Sequence, residues 1–200
     1  QISLWGLRIM SKEYEYRFNA SQLTVEKRDN EPAKLCGYAI VYDSLSEDMG
    51  YREKIKPNAV TNLDDKSIMA YGFHNREKPL GSVKNGTLRL EDTPTGVYVE
   101  ILPPDNSYGK DIVESVRRGD LDSMSFRFKC LSDSWAIENG ENIRTLNSIE
   151  IGEVSIVSEP AYQDTSIALR SFDKFIMGQD KKETDNRARM LKLVEVELDL

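Results

Sequence analysis

Ser125, His74 and Glu153 are the side chains of this 200-residue chain whose types combine into acyl-transfer chemistry. Such chemistry needs a hydroxyl to attack a carbonyl, an imidazole to take its proton, and a carboxylate to hold the imidazole in one tautomer. His74 is the only histidine, and imidazole, with an ordinary pKa of about 6.5, is the usual general base near neutral pH. A histidine-based mechanism therefore has no other base to use. Two further nucleophiles compete with Ser125. Ser123 precedes the clear alternation of its segment, and Cys130 falls on the apolar side with Phe126 and Phe128, where a thiol is buried and unreactive. A cysteine hydrolase built on Cys130 and His74 stays open and predicts sensitivity to thiol reagents. Glu150 rivals Glu153 as the acidic member, and an ordinary salt bridge to an arginine is the alternative role for either.

These residues need rigid elements beneath them. From Met124 the apolar residues alternate, with Met124, Phe126, Phe128 and Cys130 on one face and Ser125, Arg127 and Lys129 on the other. That period of two is a half-buried strand, so Ser125 sits near the start of a strand and can be aimed. Ser67-Ile-Met-Ala-Tyr-Gly-Phe73 reads as a strand that delivers His74 at its end. Ile149-Glu-Ile-Gly-Glu-Val-Ser-Ile-Val157 reads as another, with Glu153 and Ser155 on its polar face.

The remaining pattern is also strand-rich. Strands are expected at 13–18, 23–27, 34–42, 80–83, 87–91, 97–101 and 143–147. Gly37 marks a bend or bulge in the third of these, and Asn85-Gly86 turns between the fourth and fifth. Pro57 suits a short helix over 57–62. One interior helix is capped by Asn106 or Ser107, carries Ile112, Val113 and Val116 on one face, and closes at Gly119. Residues 132–142 read as a polar excursion, the strand after it ends at 160–162, and 166–169 form a last short element. The chain is thus mainly β with a few helices, α+β, as a barrel or sandwich decorated by helices.

Residues 1–12 read as an N-terminal extension in which Met10 is a candidate start, and 171–200 as a charged C-terminal tail ending in a lone edge strand over 194–200. The opening apolar stretch is brief, without the pattern of a signal peptide or the length of a membrane span. No membrane partner is expected. With 34 acidic against 27 basic residues the formal charge is -7, and no basic stripe with interleaved aromatics appears, which argues against nucleic acid. Two distant cysteines, Cys36 and Cys130, fit a reducing compartment and no metal site. No G-x-S-x-G elbow, phosphate-cradling loop, H-E-x-x-H or Cys-x-x-Cys is present, and no cofactor or metal is expected.

Three segments together resemble the prohead (capsid-maturation) serine proteases of tailed bacteriophages, which are similar in fold to the herpesvirus assemblins. They are Met69-Ala-Tyr-Gly-Phe-His-Asn75 with Pro79-Leu-Gly81, Asp122-Ser-Met-Ser-Phe-Arg-Phe128, and Gly152-Glu-Val-Ser-Ile-Val157 with Glu159-Pro-Ala161. Gly37-Tyr-Ala-Ile-Val-Tyr42 and Arg52-Glu-Lys-Ile-Lys-Pro-Asn-Ala59 fit as well. The resemblance implies a protease domain over 13–170, built as an assemblin-like closed β-barrel surrounded by short helices. It implies Ser125 as nucleophile, His74 as base and Glu153 as third member, where assemblins use a second histidine. The family commonly has glycine where Arg127 stands, and asparagine ahead of its histidine, where this chain has Phe73 ahead and Asn75 behind. The implied substrate is the scaffold part of the phage major capsid protein precursor, with self-cleavage, inside the assembling procapsid in the bacterial host cytoplasm. A homodimer is also implied. The competing reading is a non-catalytic scaffold or assembly module that binds capsid protein without cutting it.

Overall fold

The computed structural model describes residues 14–19, 23–27, 29, 32–158, 171–182 and 184–187. The short element at 166–169, the strand end at 160–162 and the terminal alternation over 194–200 lie outside these.

Ten strands and one interior helix make up residues 15–157. They are β1 (Glu15–Asn19), β2 (Thr24–Glu26), β3 (Lys34–Val41), β4 (Arg52–Ile55), β5 (Met69–Gly72), β6 (Pro79–Ser82), β7 (Leu88–Asp92), β8 (Gly96–Ile101), α1 (Ser107–Arg118), β9 (Ser123–Glu138) and β10 (Glu141–Val157). The fold is mainly β with few helices, α+β. One sheet runs β1-β9-β10-β5-β6, with β4 also paired to β10, and the other runs β2-β3-β8-β7. Backbone hydrogen bonds link the two sheets at two places. Leu23 N donates to Asp122 O at 3.2 Å, beside β2 and β9, and Thr87 N donates to Ser82 O at 3.1 Å between β6 and β7.

The core lies where the apolar faces meet. Leu35, Ile40, Val97, Val99 and Ile101 come from one sheet, and Met124, Phe126, Phe128, Ile149, Ile151, Val154 and Ile156 from the other, all buried. Helix α1 adds Ile112 and Val116, which share a face because they are four residues apart. Its ends follow local chemistry: the Asn106 side chain accepts from Gly109 N at 2.8 Å, and Gly119 takes the left-handed conformation (φ 80°) that closes a helix.

Three expectations are corrected. Residues 57–62 are not helical, since Asn58 is left-handed (φ 60°) and Val60 instead bridges Ile149. The polar stretch 132–142 is no loop; β9 and β10 continue through it and are joined by Asn139 and Gly140 (φ 53° and 85°), the two-residue turn that asparagine-glycine favours. Strands β6 and β7 flank the Asn85-Gly86 turn as expected, and they belong to different sheets. The register shift of β3 falls at Ala39, between Tyr38 and Ile40, rather than at Gly37.

In the C-terminal unit, residues 171–182 and 184–187 are helical, in a segment expected to be a charged tail or linker. Phe172, Phe175, Ile176 and Gln179 are half-buried along it at helical spacing.

Candidate active site

Three neighbouring strands bring the three residues together. Strand β10 lies between β9, which it meets antiparallel, and β5, which it meets in parallel. Across this ribbon Ser125 faces Ser155, which faces Tyr71, and Arg127 faces Glu153, which faces Met69. Ser125, Arg127, Glu153 and Ser155 therefore share one face, and His74 follows directly on β5. The turn that carries His74 is tight. Asn75 N donates to Gly72 O at 3.0 Å, and both central residues, Phe73 and His74, are left-handed (φ 55° and 57°). Neither is glycine, so the backbone is strained where the imidazole is aimed. The turn is held by Phe73 N donating to Ile156 O at 2.9 Å.

His74 Nδ1 lies 2.8 Å from Glu153 Oε1, and His74 Nε2 lies 2.9 Å from Ser125 Oγ. A carboxylate only accepts, so Nδ1 carries the imidazole proton and Nε2 presents its lone pair to the hydroxyl. The hydroxyl has a second acceptor in reach, the Arg17 carbonyl on β1 at 3.0 Å. One proton thus serves two acceptors, and its transfer to Nε2 frees the oxygen for attack. The Tyr16 ring meets the imidazole edge-on at 5.0 Å. Ser125 and Glu153 are each 1% exposed, whereas the His74 side chain retains 21%.

Glu153 makes both interactions that the sequence offered as alternatives. Oε1 meets the imidazole while Oε2 accepts from Arg127 Nε at 2.9 Å. Burial works to raise this carboxyl, but the His74 hydrogen bond and the Arg127 cation outweigh it, and the net effect holds it below its ordinary value of about 4.5. The rivals lie elsewhere. Glu150 pairs with Lys129, two register positions further along the hairpin. Cys130 is half-buried, and burial pushes its thiol up to about 12, which leaves no thiolate for attack at neutral pH. Ser123 Oγ donates to Asp122 at 2.6 Å. Among the described residues no three His, Cys, Asp or Glu side chains converge to hold a metal ion.

A family model for Caudovirus prohead serine proteases matches residues 21–178. The chain belongs to that family. The prohead protease of Escherichia phage T5 is 29% identical over 126 residues, which are 63% of this chain and 55% of the phage protein. The chain therefore spans about half the length of that curated relative. No solved structure matches. No helix among the described residues is long and apolar enough to cross a membrane.

Sequence reasoning missed the partners around the three residues. The Arg17 carbonyl is a backbone atom and carries no residue signal. Ser155 is fully buried, and its hydroxyl has no hydrogen-bond partner among the described residues. Arg127 was legible in part: it lies two residues from Ser125 on the same strand face, within cross-strand reach of whatever carboxylate faces it.

Proposed function

We propose that this chain is a serine endopeptidase of prohead maturation, with Ser125 as nucleophile, His74 as general base and Glu153 as the carboxylate that orients the imidazole. The observation that carries this reading is the unbroken hydrogen-bonded chain from Ser125 Oγ through both ring nitrogens to Glu153, at 2.9 and 2.8 Å. Ser125 attacks a peptide carbonyl as its proton passes to His74 Nε2. The imidazolium, held by Glu153, returns that proton to the leaving amine, and water then releases the acyl group by the same route. The resting hydroxyl is covered, so substrate docking displaces the Arg17 carbonyl from it.

The family points to the scaffold part of the capsid precursor as substrate, cleaved inside the procapsid, with self-cleavage of the protease. We assign residues 13–170 to the protease domain, and 171–200 to a packaging or self-cleavage segment. We also infer that the two sheets close into one assemblin-like barrel, which the hydrogen bonds at Leu23–Asp122 and Ser82–Thr87 support. The test follows intact mass against time for the unsubstituted chain and for Ser125→Ala, each with and without the capsid precursor. Trimming by the first and none by the second is expected, with a loss of about 10⁴- to 10⁶-fold. Identical behaviour of the two would overturn the assignment.

A further inference from the structure

We propose that Arg127 is a positioning residue: stacked on Tyr14, its guanidinium holds one oxygen of Glu153 so that the other stays on His74 Nδ1. This rests on the protease reading above. Three observations converge on it. Arg127 Nε reaches Glu153 Oε2 at 2.9 Å, with side-chain exposures of 14% and 2%. The guanidinium lies over the Tyr14 ring, 4.0 Å from its centroid, so its plane is set by an aromatic face as well as by the carboxylate. Across the ribbon, Gly152 is the unpaired residue of a bulge between Ile151 and Glu153. A Cβ there would come within 3.1 Å of both Arg127 Nη2 and the Tyr14 ring, so glycine leaves the stack its room. A glutamate side chain has three rotatable bonds, and one hydrogen bond to an imidazole does not fix them. A second bond from a guanidinium that is itself immobilised does.

The test uses the full chain and its lone histidine. Nitrogen-15 spectra of the imidazole in the Ser125→Ala background, which halts self-cleavage, report which ring nitrogen carries the proton whether or not any peptide is cut. Arg127→Gln is expected to lower the share of the Nδ1–H tautomer, and in the active background to lower kcat about 10- to 100-fold with KM within about twofold. Arg127→Lys, which keeps the charge and loses the planar fork, should restore only part of both. Tyr14→Phe should change neither, and Tyr14→Ala should fall between. An Arg127→Gln chain that keeps the Nδ1–H tautomer overturns the proposal, as does one that loses kcat and KM in parallel. If Arg127→Gln fails to fold, Arg127→Lys and Tyr14→Ala decide it on the same tautomer readout. Absence of cleavage by the unsubstituted chain sinks the protease reading alone, because the tautomer measurement stands without it.

Discussion

Two charged clusters sit side by side on the same strands and are built to opposite ends. In the first, Arg144 at 1% exposure is bonded to Glu15, Glu53 and Asp133, and Arg17 is bonded to Glu15 and Glu53. In the second, Ser125, His74, Glu153 and Arg127 form an open-ended chain. In the first, both guanidinium groups are held by the buried carboxylates of Glu15 and Glu53, and Arg17 donates also to the Tyr16 carbonyl at 2.8 Å. Burial works against the Arg144 cation, but bonds to Glu15 and the charge of Glu53 prevail and hold it well above its ordinary value. The second contains the one side chain type that changes charge near neutrality. One cluster ties β1, β4 and β10 together through paired charges, and the other holds the group proposed to move a proton.

Arg17 joins the two. Its side chain belongs to the ion cluster, while its carbonyl accepts from the Ser125 hydroxyl. Cleavage and stability should therefore separate under substitution. Glu153→Gln is expected to have the largest effect, lowering cleavage by about 10⁴-fold while unfolding free energy in urea falls by no more than about 1–2 kcal/mol. Arg144→Leu inverts this: it leaves Glu15 and Glu53 short of a partner at full burial and should cost about 3–5 kcal/mol in the same melts. A cost below about 1 kcal/mol would mean that Arg17 alone satisfies both carboxylates. Arg17→Lys keeps the carbonyl and the charge but loses the fork, so a loss of about 1–3 kcal/mol with cleavage retained is expected.

The smallest predicted effect concerns acid. Glu153 is held below its ordinary value, so its contribution is complete above about pH 4.5 and is given up as pH falls through its lowered folded value. Thermal melts between about pH 5 and pH 3 should therefore fall less steeply for Glu153→Gln than for the unsubstituted chain. Parallel slopes would show that the carboxyl is not held low.

The three residues proposed for catalysis were legible because each stands on or directly after a strand whose alternation is clean, and because one histidine leaves no choice of base. The ion cluster was not. Glu15 and Arg17 alternate with Tyr14, Tyr16 and Phe18, a pattern that marks a strand while leaving open which face is inside. Here the charged face is the buried one, with Glu15 at 0% and Arg17 at 7% exposure. Only the meeting of β1, β4, β9 and β10 supplies the partners that make this affordable, and no local window contains them. The hairpin tip was different: Asn139-Gly140 carried the turn signal, and the polar residues around it masked strands that are solvated on both faces near their end. Pro57 misled because its fixed φ serves a turn as well as a helix start. In the C-terminal segment, half-buried Phe172, Phe175 and Ile176 were the helical signal beneath a run of charges.

The bulge at Gly152 makes the site depend on counting as well as on chemistry. Ile149 and Ile151 point to the core at odd numbers, whereas beyond the bulge Val154 and Ile156 do so at even ones. Counted by strict alternation from Ile151, Glu153 and Ser155 would fall in the apolar interior. The bulge prevents this, because Gly152 and Glu153 fall together on the side of Arg127 and Val154 returns to the core after them. The extra residue therefore decides which face the carboxylate takes, whereas at the solvated tip around Asn139 and Gly140 a change of length stays remote from the chemistry. The same glycine that makes room for an arginine resets the count of the strand.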